Sequence, residues 1–454
     1  MEKAQKRRTV SNLLAALLIF SVFLLPVEQA FACDFENLTV KIGRGFGDNM
    51  NRYAWAMSVF KGRLYVGTWN AQLDYLALFQ LIQSGELPSN PLEAIGVVKS
   101  EGAEIWRYDG KLKWTKVYKA APADAGFRIM LVYKGYLYSG TLNSTTGASL
   151  FRSKDGSCWE KLGGGPLANA DNTSIRTLLE YRGLLYVGTE NNKTGGELWA
   201  FDGRNWELKQ TFTDPSVAEL CEFKGKLYMG TWNFNDTFHF FQSPDGCNFT
   251  DVTPVFAGSA DLHNLGVMKL IVFQKQFYLG TVNYQDGFTL LRTKTPGNPN
   301  GWEVLTTNGF NDKDNSYTWS MLEFRGTLYL GTFNSGIYGG IYAPLFIPLD
   351  GRAQLWASDH GNDWVKLVND GFDRFNYGFR NMVVYNNQLV IGTASDFLIP
   401  DPAHIDLDAV RAALSGLLGK DIDLTSMTQV MGELNSFIQK NPNWIGTEIW
   451  ITEW

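Results

Sequence analysis

The sequence predicts an all-β fold, a seven-bladed β-propeller, on three observations. A segment of the form Phe324-Arg325-Gly326-Thr327-Leu328-Tyr329-Leu330-Gly331-Thr332 recurs seven times. Each copy alternates residue character with period two on both sides of a tight turn. The two ends of the chain together complete the seventh unit. The copies centre on Gly67-Thr68, Gly140-Thr141, Gly188-Thr189, Gly230-Thr231, Gly280-Thr281, Gly331-Thr332 and Gly392-Thr393, at successive spacings of 73, 48, 42, 50, 51 and 61 residues. A core period of about 40–50 residues marks a propeller blade or a large solenoid repeat. Six copies carry Tyr two residues before the Gly (Tyr65, Tyr138, Tyr186, Tyr228, Tyr278, Tyr329), and the seventh carries Val390.

Within a copy, Met321-Leu322-Glu323-Phe324 and Leu328-Tyr329-Leu330 flank the turn Arg325-Gly326, which reads as a hairpin. A third run such as Glu197-Leu198-Trp199-Ala200 follows, then a turn at Asp202-Gly203 and a fourth strand from Trp206. Four short strands have no core of their own and must pack face to face with the next repeat. Closing the ring leaves only short strand edges. The last repeat, ending at Glu448-Ile449-Trp450-Ile451, offers a third strand and no fourth, while Asn37-Leu38-Thr39-Val40-Lys41-Ile42-Gly43 offers the missing one. Residues 33–454 therefore read as one domain, with a closing strand at 33–44.

The turns between third and fourth strands read Ser153-Lys154-Asp155-Gly156-Ser157-Cys158-Trp159, Ser243-Pro244-Asp245-Gly246-Cys247-Asn248-Phe249 and Ser358-Asp359-His360-Gly361-Asn362-Asp363-Trp364. They resemble the Asp-box turns of sialidase-type propellers, one residue shorter than that family's spacing, and the repeat is also similar to kelch-like propellers. The resemblance is one of architecture over residues 36–454. It implies an Asp that caps backbone N–H groups and an aromatic that anchors the turn.

Residues 1–32 read as a signal peptide. Lys3, Lys6, Arg7 and Arg8 precede an apolar run from Leu13 to Leu25, and Ala30-Phe31-Ala32 fits a cleavage site. The protein is therefore expected to be exported: periplasmic, cell-surface or secreted. Cys33 would then be the first residue, where a lipid anchor could attach, although the preceding residues lack the usual lipobox leucine. Removing 1–32 takes away four basic and two acidic residues and moves the net charge from −6 to −8. With no basic run, a nucleic-acid partner is not expected. Cys33, Cys158, Cys221 and Cys247 fall where no structural disulfide is expected. His239, His263, His360 and His404 show no metal spacing, and no cofactor is expected.

Aligning the repeats on the hairpin Gly or its equivalent (Gly62, Gly135, Gly183, Gly225, Lys275, Gly326, Asn387) exposes two columns. Eleven residues earlier stand Asn51, Asp124, Asn172, Asp214, Asn264, Asn315 and Asn376. This column reads as a structural ring of Asx-turns opening each inner strand. A ring of calcium ligands is the sharper alternative, weakened by five neutral Asn. Seven residues earlier stand Trp55, Arg128, Arg176, Ala218, Met268, Trp319 and Arg380. The scaffold does not dictate this column, so Trp55, Arg128, Arg176, Trp319 and Arg380 are the candidate ligand-binding residues. Guanidinium forks bind carboxylate, sulfate or phosphate, and indoles stack on sugars or cations. The competing reading pairs each Arg with a neighbouring carboxylate such as Glu180, Glu219 or Glu222.

Insertions at 71–100, 335–352 and 399–443, the first and last with helical patterns, belong to three consecutive repeats and are expected to cap this mouth. Their apolar residues either bury one another or receive a protein partner. The favoured function is a binding protein for a glycan or small anion. The alternatives are a glycan hydrolase or lyase at the same mouth, and a protein-interaction scaffold. Catalysis would need a carboxylate pair, for which Asp48, Asp312, Asp314, Asp373 and Glu219 are candidates. Catalytic residues cannot be assigned from sequence. Deleting residues 34–43 is expected to lower the melting temperature of the whole domain, and an unchanged melting curve would contradict the closing strand.

Overall fold

The computed structural model describes residues 35–73, 98–233, 237–258, 262–338, 352–396, 415, 436 and 440–453. Period-two patterning on both sides of each turn produces antiparallel hairpins. The first is Asn51–Phe60 with Arg63–Asn70, followed by Gly126–Tyr133 with Tyr136–Leu142 and Ser174–Tyr181 with Leu184–Glu190. Next come Ser216–Phe223 with Lys226–Trp232 and Gly266–Phe273 with Gln276–Val282. Asn315–Phe324 with Thr327–Asn334 and Asn376–Tyr385 with Gln388–Ser395 complete the set. Every turn holds two residues at positive φ, as in Lys61-Gly62 (49° and 71°) and Asn386-Asn387 (49° and 60°). That is the two-residue turn whose twist matches the flanking strands.

Each hairpin is bonded to the next. The junction pairs are Trp69 with Gly126, Leu142 with Ser174, Glu190 with Ser216, Trp232 with Gly266, Val282 with Tyr317 and Phe333 with Gly378. Tyr53 pairs with Ala394 and joins the last hairpin to the first. The result is a closed ring of fourteen strands, an all-β architecture of the β-propeller type. Outer strands continue each hairpin away from the axis, as Glu197–Phe201 and Trp206–Thr211 do. At the chain ends, Thr39–Arg44 pairs antiparallel with Glu448–Thr452, with Thr39 opposite Thr452 and Arg44 opposite Glu448.

The Gly-Thr doublet makes two different contacts. A Cβ on Gly67 would lie 2.6 Å from Phe127, and on Gly140 2.5 Å from Ile175. The corresponding distances are 2.6 Å for Gly188 and Val217, 2.3 Å for Gly230 and Val267, and 2.0 Å for Gly280 and Thr318. They are 2.6 Å for Gly331 and Phe379, and 2.5 Å for Gly392 and Ala54. Each Gly is thus the seat on which the next repeat's first strand lies, and any side chain there would hold the two apart. The Thr hydroxyl accepts the N–H that opens the third strand: Glu104 on Thr68 (3.0 Å), Glu197 on Thr189 (2.9 Å) and Glu448 on Thr393 (2.8 Å), for example. The core lies between adjacent repeats, with Tyr65 and Ile105 of one packed against Phe127, Met130 and Phe151 of the next.

The repeated Tyr also reaches across. The Tyr65, Tyr186 and Tyr278 hydroxyls lie against Gly156, Gly246 and Gly361, where a Cβ would stand 2.0, 2.0 and 1.9 Å away. Val390, the exception, instead joins a cluster flanked by Tyr108 and Trp114. In these turns Asp155 Oδ1 accepts the N–H groups of Ser157 (2.8 Å) and Cys158 (2.7 Å), and Asp245 Oδ1 those of Cys247 (2.9 Å) and Asn248 (2.8 Å). Those bonds lower the Asp155 carboxyl to about 2 and lower Asp245 still further. The third turn departs from the pattern. His360 occupies the Asp position, and Asp359 accepts from Thr327 instead (2.6 Å).

The signal segment and most of the three insertions lie outside the described residues. Cys158, Cys221 and Cys247 are free thiols. Changing Gly280 to Ala is expected to destabilise the domain by about 2–4 kcal/mol, because Thr318 and its strand must retreat. Equilibrium urea denaturation would show this as a lowered midpoint with an unchanged slope.

Candidate functional site

The Asx column forms a buried belt, but its side chains do not close Asx-turns on their own backbone. They reach the second and third strands. Asn51 accepts from Asn70 (3.0 Å) and donates to Glu104 (2.9 Å), and Asn172 accepts from Asn191 (3.0 Å) and donates to Glu197 (2.8 Å). Asn315 donates to Gln354 (2.7 Å) and Asn376 to Glu448 (2.8 Å). Asp124 and Asp214, which cannot donate, face hydroxyls and amides instead: Thr141 (2.8 Å) and Asn143 (3.2 Å) for the first, Thr231 and Asn233 (3.1 Å) for the second. Asn264 accepts from Thr281 (2.8 Å) and donates to the Ala257 carbonyl (3.1 Å). These oxygens are occupied by internal donors, so the belt serves to tie each repeat together.

The second column has a distinct backbone origin. The residues eight and five places before the hairpin Gly, such as Phe127 and Met130, both lie against the preceding repeat's Gly67. Three residues apart, they could not share a face of a regular strand of period two. A β-bulge absorbs the extra residue, and the register slips at Ala54/Ala56, Phe127/Ile129, Ile175/Thr177, Val217/Glu219, Val267/Lys269, Thr318/Ser320 and Phe379/Asn381. The bulged residues are Trp55, Arg128, Arg176, Ala218, Met268, Trp319 and Arg380. With no residue opposite in the ladder, their side chains are re-aimed.

Two of the five candidates turn out to be packing. Trp55 and Trp319 are each only 6% exposed. The next repeat supplies Gly126 and Gly378 beneath them, where a Cβ would meet the indoles at 2.2 and 2.0 Å. The same strands lay Arg128 over Trp55 (4.9 Å to the ring centre) and Arg380 over Trp319 (5.3 Å). Their faces are therefore covered by this protein and are not open to a sugar ring. Arg176 lies over Trp232 (4.6 Å).

The three arginines do come together. Arg176 Nη1 donates to Glu190 Oε2 at 3.2 Å, and Arg128 Nη1 lies 3.8 Å from the same oxygen and 3.4 Å from Ser174 Oγ. Arg380 is partly buried, and among the described residues it makes no ion pair and its buried Nε has no hydrogen-bond partner. Burial, then Arg176, pushes the Arg380 guanidinium down from the ordinary arginine range to about 9. Burial and then Arg176 push Arg128 well down too, partly opposed by Glu190. Tyr317 lies close enough to feel all three arginines, though burial and Tyr53 raise its hydroxyl. Its hydroxyl meets that of Tyr284, and the Tyr53 hydroxyl that of Tyr377. Tyr53 also meets Trp319 edge-on at 5.5 Å, which links two repeats that are not adjacent in the ring. Glu219, one place beyond a bulge, is held by Lys269 rather than by an arginine.

The carboxylates considered for catalysis have other partners. Asp48 accepts from Asn70 (2.9 Å), Asp312 from Gln354 (2.7 Å), and Asp373 lies 3.5 Å from Arg44. Burial and the neighbouring Asp312 raise the Asp314 carboxyl. A surface cleft of about 490 Å³ lined by Lys134, Tyr136, Arg152, Asp202 and Arg204 is a separate feature. Lys134 lies six residues along the strand from Arg128, about 20 Å away.

Glu190 is the residue sequence reasoning missed. Seven places after the hairpin Gly, the column reads Trp69, Leu142, Glu190, Trp232, Val282, Phe333 and Ala394. A lone carboxylate in that apolar column was a legible signal.

No protein-family model matches the chain, and no curated protein matches it either. Among solved structures it is similar to YCF48 bound to D1 peptide, at 12% identity over 67% of this chain and 90% of that one, with a TM-score of 0.43. It is also similar to the computationally designed Ika8 protein (12% identity, 76% and 82% covered, TM-score 0.42). A third likeness is to a protein from Lactobacillus plantarum (12% identity, 69% and 83% covered, TM-score 0.42). At these values the likeness says nothing about what this chain binds.

The lowered Arg380 guanidinium has a direct consequence for stability. At neutral pH it is charged in both folded and unfolded chains, so the burial penalty is present in full below about 9. As pH rises through that value the folded state releases its proton first, and the penalty fades toward the ordinary arginine range. Arg380→Met is therefore expected to stabilise the protein by about 1–3 kcal/mol at pH 7, with a gain that shrinks above pH 9. Thermal melts of both proteins across this range measure it.

Proposed function

We propose that this chain is an exported seven-bladed β-propeller that binds a small anion at the centre of its ring. The blade count is supported by seven hairpins in the closed ring, each continued by outer strands, the last by Thr39–Arg44 and Glu448–Thr452. Export is supported by the basic start, apolar run and small-residue site within residues 1–32. Arg128, Arg176 and Arg380 hold the ligand, a carboxylate, sulfate or phosphate group, or the acid group of a sugar. Trp55 and Trp319 act as the platforms that fix Arg128 and Arg380.

One observation carries this reading. Of three guanidiniums on bulged residues, Arg128 and Arg176 share one carboxylate, Glu190, and Arg380 has none in ion-pair range among the described residues. Buried charge without a counter-charge is costly, and a bound oxyanion removes that cost with charge-assisted hydrogen bonds. Binding is favoured over hydrolysis because the two carboxylates that act on the arginines, Glu190 and Glu219, are already engaged by Arg176 and Lys269.

A thermal-shift screen of residues 33–454 with sulfate, phosphate, and neutral and acidic sugars tests the proposal. Acidic ligands are expected to raise the melting temperature in proportion to the logarithm of their concentration. The Arg128→Ala/Arg176→Ala/Arg380→Ala variant should lose that response. A folded variant that keeps it would place the anion elsewhere.

A further inference from the structure

The charge balance at the ring centre points to the class of anion. Arg128, Arg176 and Arg380 bring three positive charges, and Glu190 returns one negative charge through Arg176 at 3.2 Å and Arg128 at 3.8 Å. Glu219 and Lys269 cancel each other at 2.5 Å. Among the described residues, what remains is an excess of two positive charges beside the rings of Trp55, Trp232 and Trp319.

We infer that the centre is built for a ligand carrying two negative charges, and that Glu190 sets this number by neutralising one of the three arginines. This rests on the anion-binding reading above and names the ligand's charge class. A monoanion would leave one guanidinium uncompensated in a partly desolvated site, and a trianion would leave a negative charge there. Either residue of charge is penalised by burial.

The geometry fits the same count. Glu190 occupies Nη1 of Arg176 and faces Nη1 of Arg128, while Arg380 keeps a buried Nε with no partner among the described residues. Arg380 and the free edges of the other two forks therefore offer planar donors to an oxyanion. Glu190 is also a deliberate placement, since every other repeat has an apolar residue at its position. Burial first, and Arg176 second, lower the Arg128 and Arg380 guanidiniums, which is consistent with like charges held together in a partly desolvated site.

Isothermal titration at pH 7.5 and fixed ionic strength tests the inference with matched pairs: sulfate against methanesulfonate, and succinate against succinamate. The dianion of each pair is expected to bind at least about tenfold tighter. In Arg380→Met, which leaves an excess of one charge, the gap should fall below about threefold. In Glu190→Gln, which leaves three, citrate should overtake succinate. Methanesulfonate binding within twofold of sulfate in the unaltered protein would overturn the dianion class while leaving anion binding in place. So would an unchanged order of preference in a folded Glu190→Gln. If none of the four anions binds protein that circular dichroism shows to be folded, the anion-binding reading itself falls.

Discussion

The ring depends on the approach of one strand onto the glycine of its neighbour. At seven glycines the next first strand lies so close that a methyl group would fall 2.0–2.6 Å from it. Each contact buries the residue eight places before the next hairpin turn and brings the residue five places before it to the same face. The Thr that follows ties down the third strand, and the Asx belt ties the first strand to both of its partners. The contact of Gly392 with Ala54 is the same contact, made between the end of the chain and its beginning. The ring also closes through Thr39–Arg44 paired with Glu448–Thr452.

The candidate site follows from that packing. Two residues three apart can share a face only if one between them is squeezed out of the ladder. The squeezed-out residue has no cross-strand neighbour, and the scaffold therefore leaves its identity open. In two repeats the position is filled by Ala218 and Met268, and in the others by arginine or tryptophan. The tryptophans then find a glycine beneath and an arginine above. This supports the guanidiniums and removes the indole faces from service as sugar platforms. Seats, bulges and charges form one chain of cause, from the doublet Gly-Thr to three arginines with one carboxylate between them.

Much of the architecture was legible in the sequence because it is periodic. The Gly-Thr doublets, the hairpin turns and the Asx column each repeat seven times, and the strand that partners Glu448–Thr452 could be matched from the chain ends. The columns also separated scaffold from variable positions. What they could not reveal was direction. The Asx residues looked like turn residues, yet their partners are the carboxylates and amides of Glu104, Glu197, Gln354 and Glu448, some 25 to 72 residues away. Trp55 and Trp319 looked available, because the glycines that cover them belong to the next repeat. His360 was read as part of an Asp-capped turn because the neighbouring Asp359 is shifted by one place. The tryptophans are covered from the next repeat, while the Asx side chains and Asp359 find their partners on other strands of their own repeat, and alignment within a column is blind to both.

Diffraction from crystals soaked in selenate, a dianion whose selenium scatters anomalously, addresses the central claim most directly. The account predicts an anomalous peak at the ring centre, with oxygens about 2.7–3.0 Å from guanidinium nitrogens of Arg380 and of Arg128 or Arg176. Glu190 should remain on Arg176. Peaks confined to the outer surface, with Arg380 still facing only Trp319, would show that the three arginines are structural ties and not a binding site.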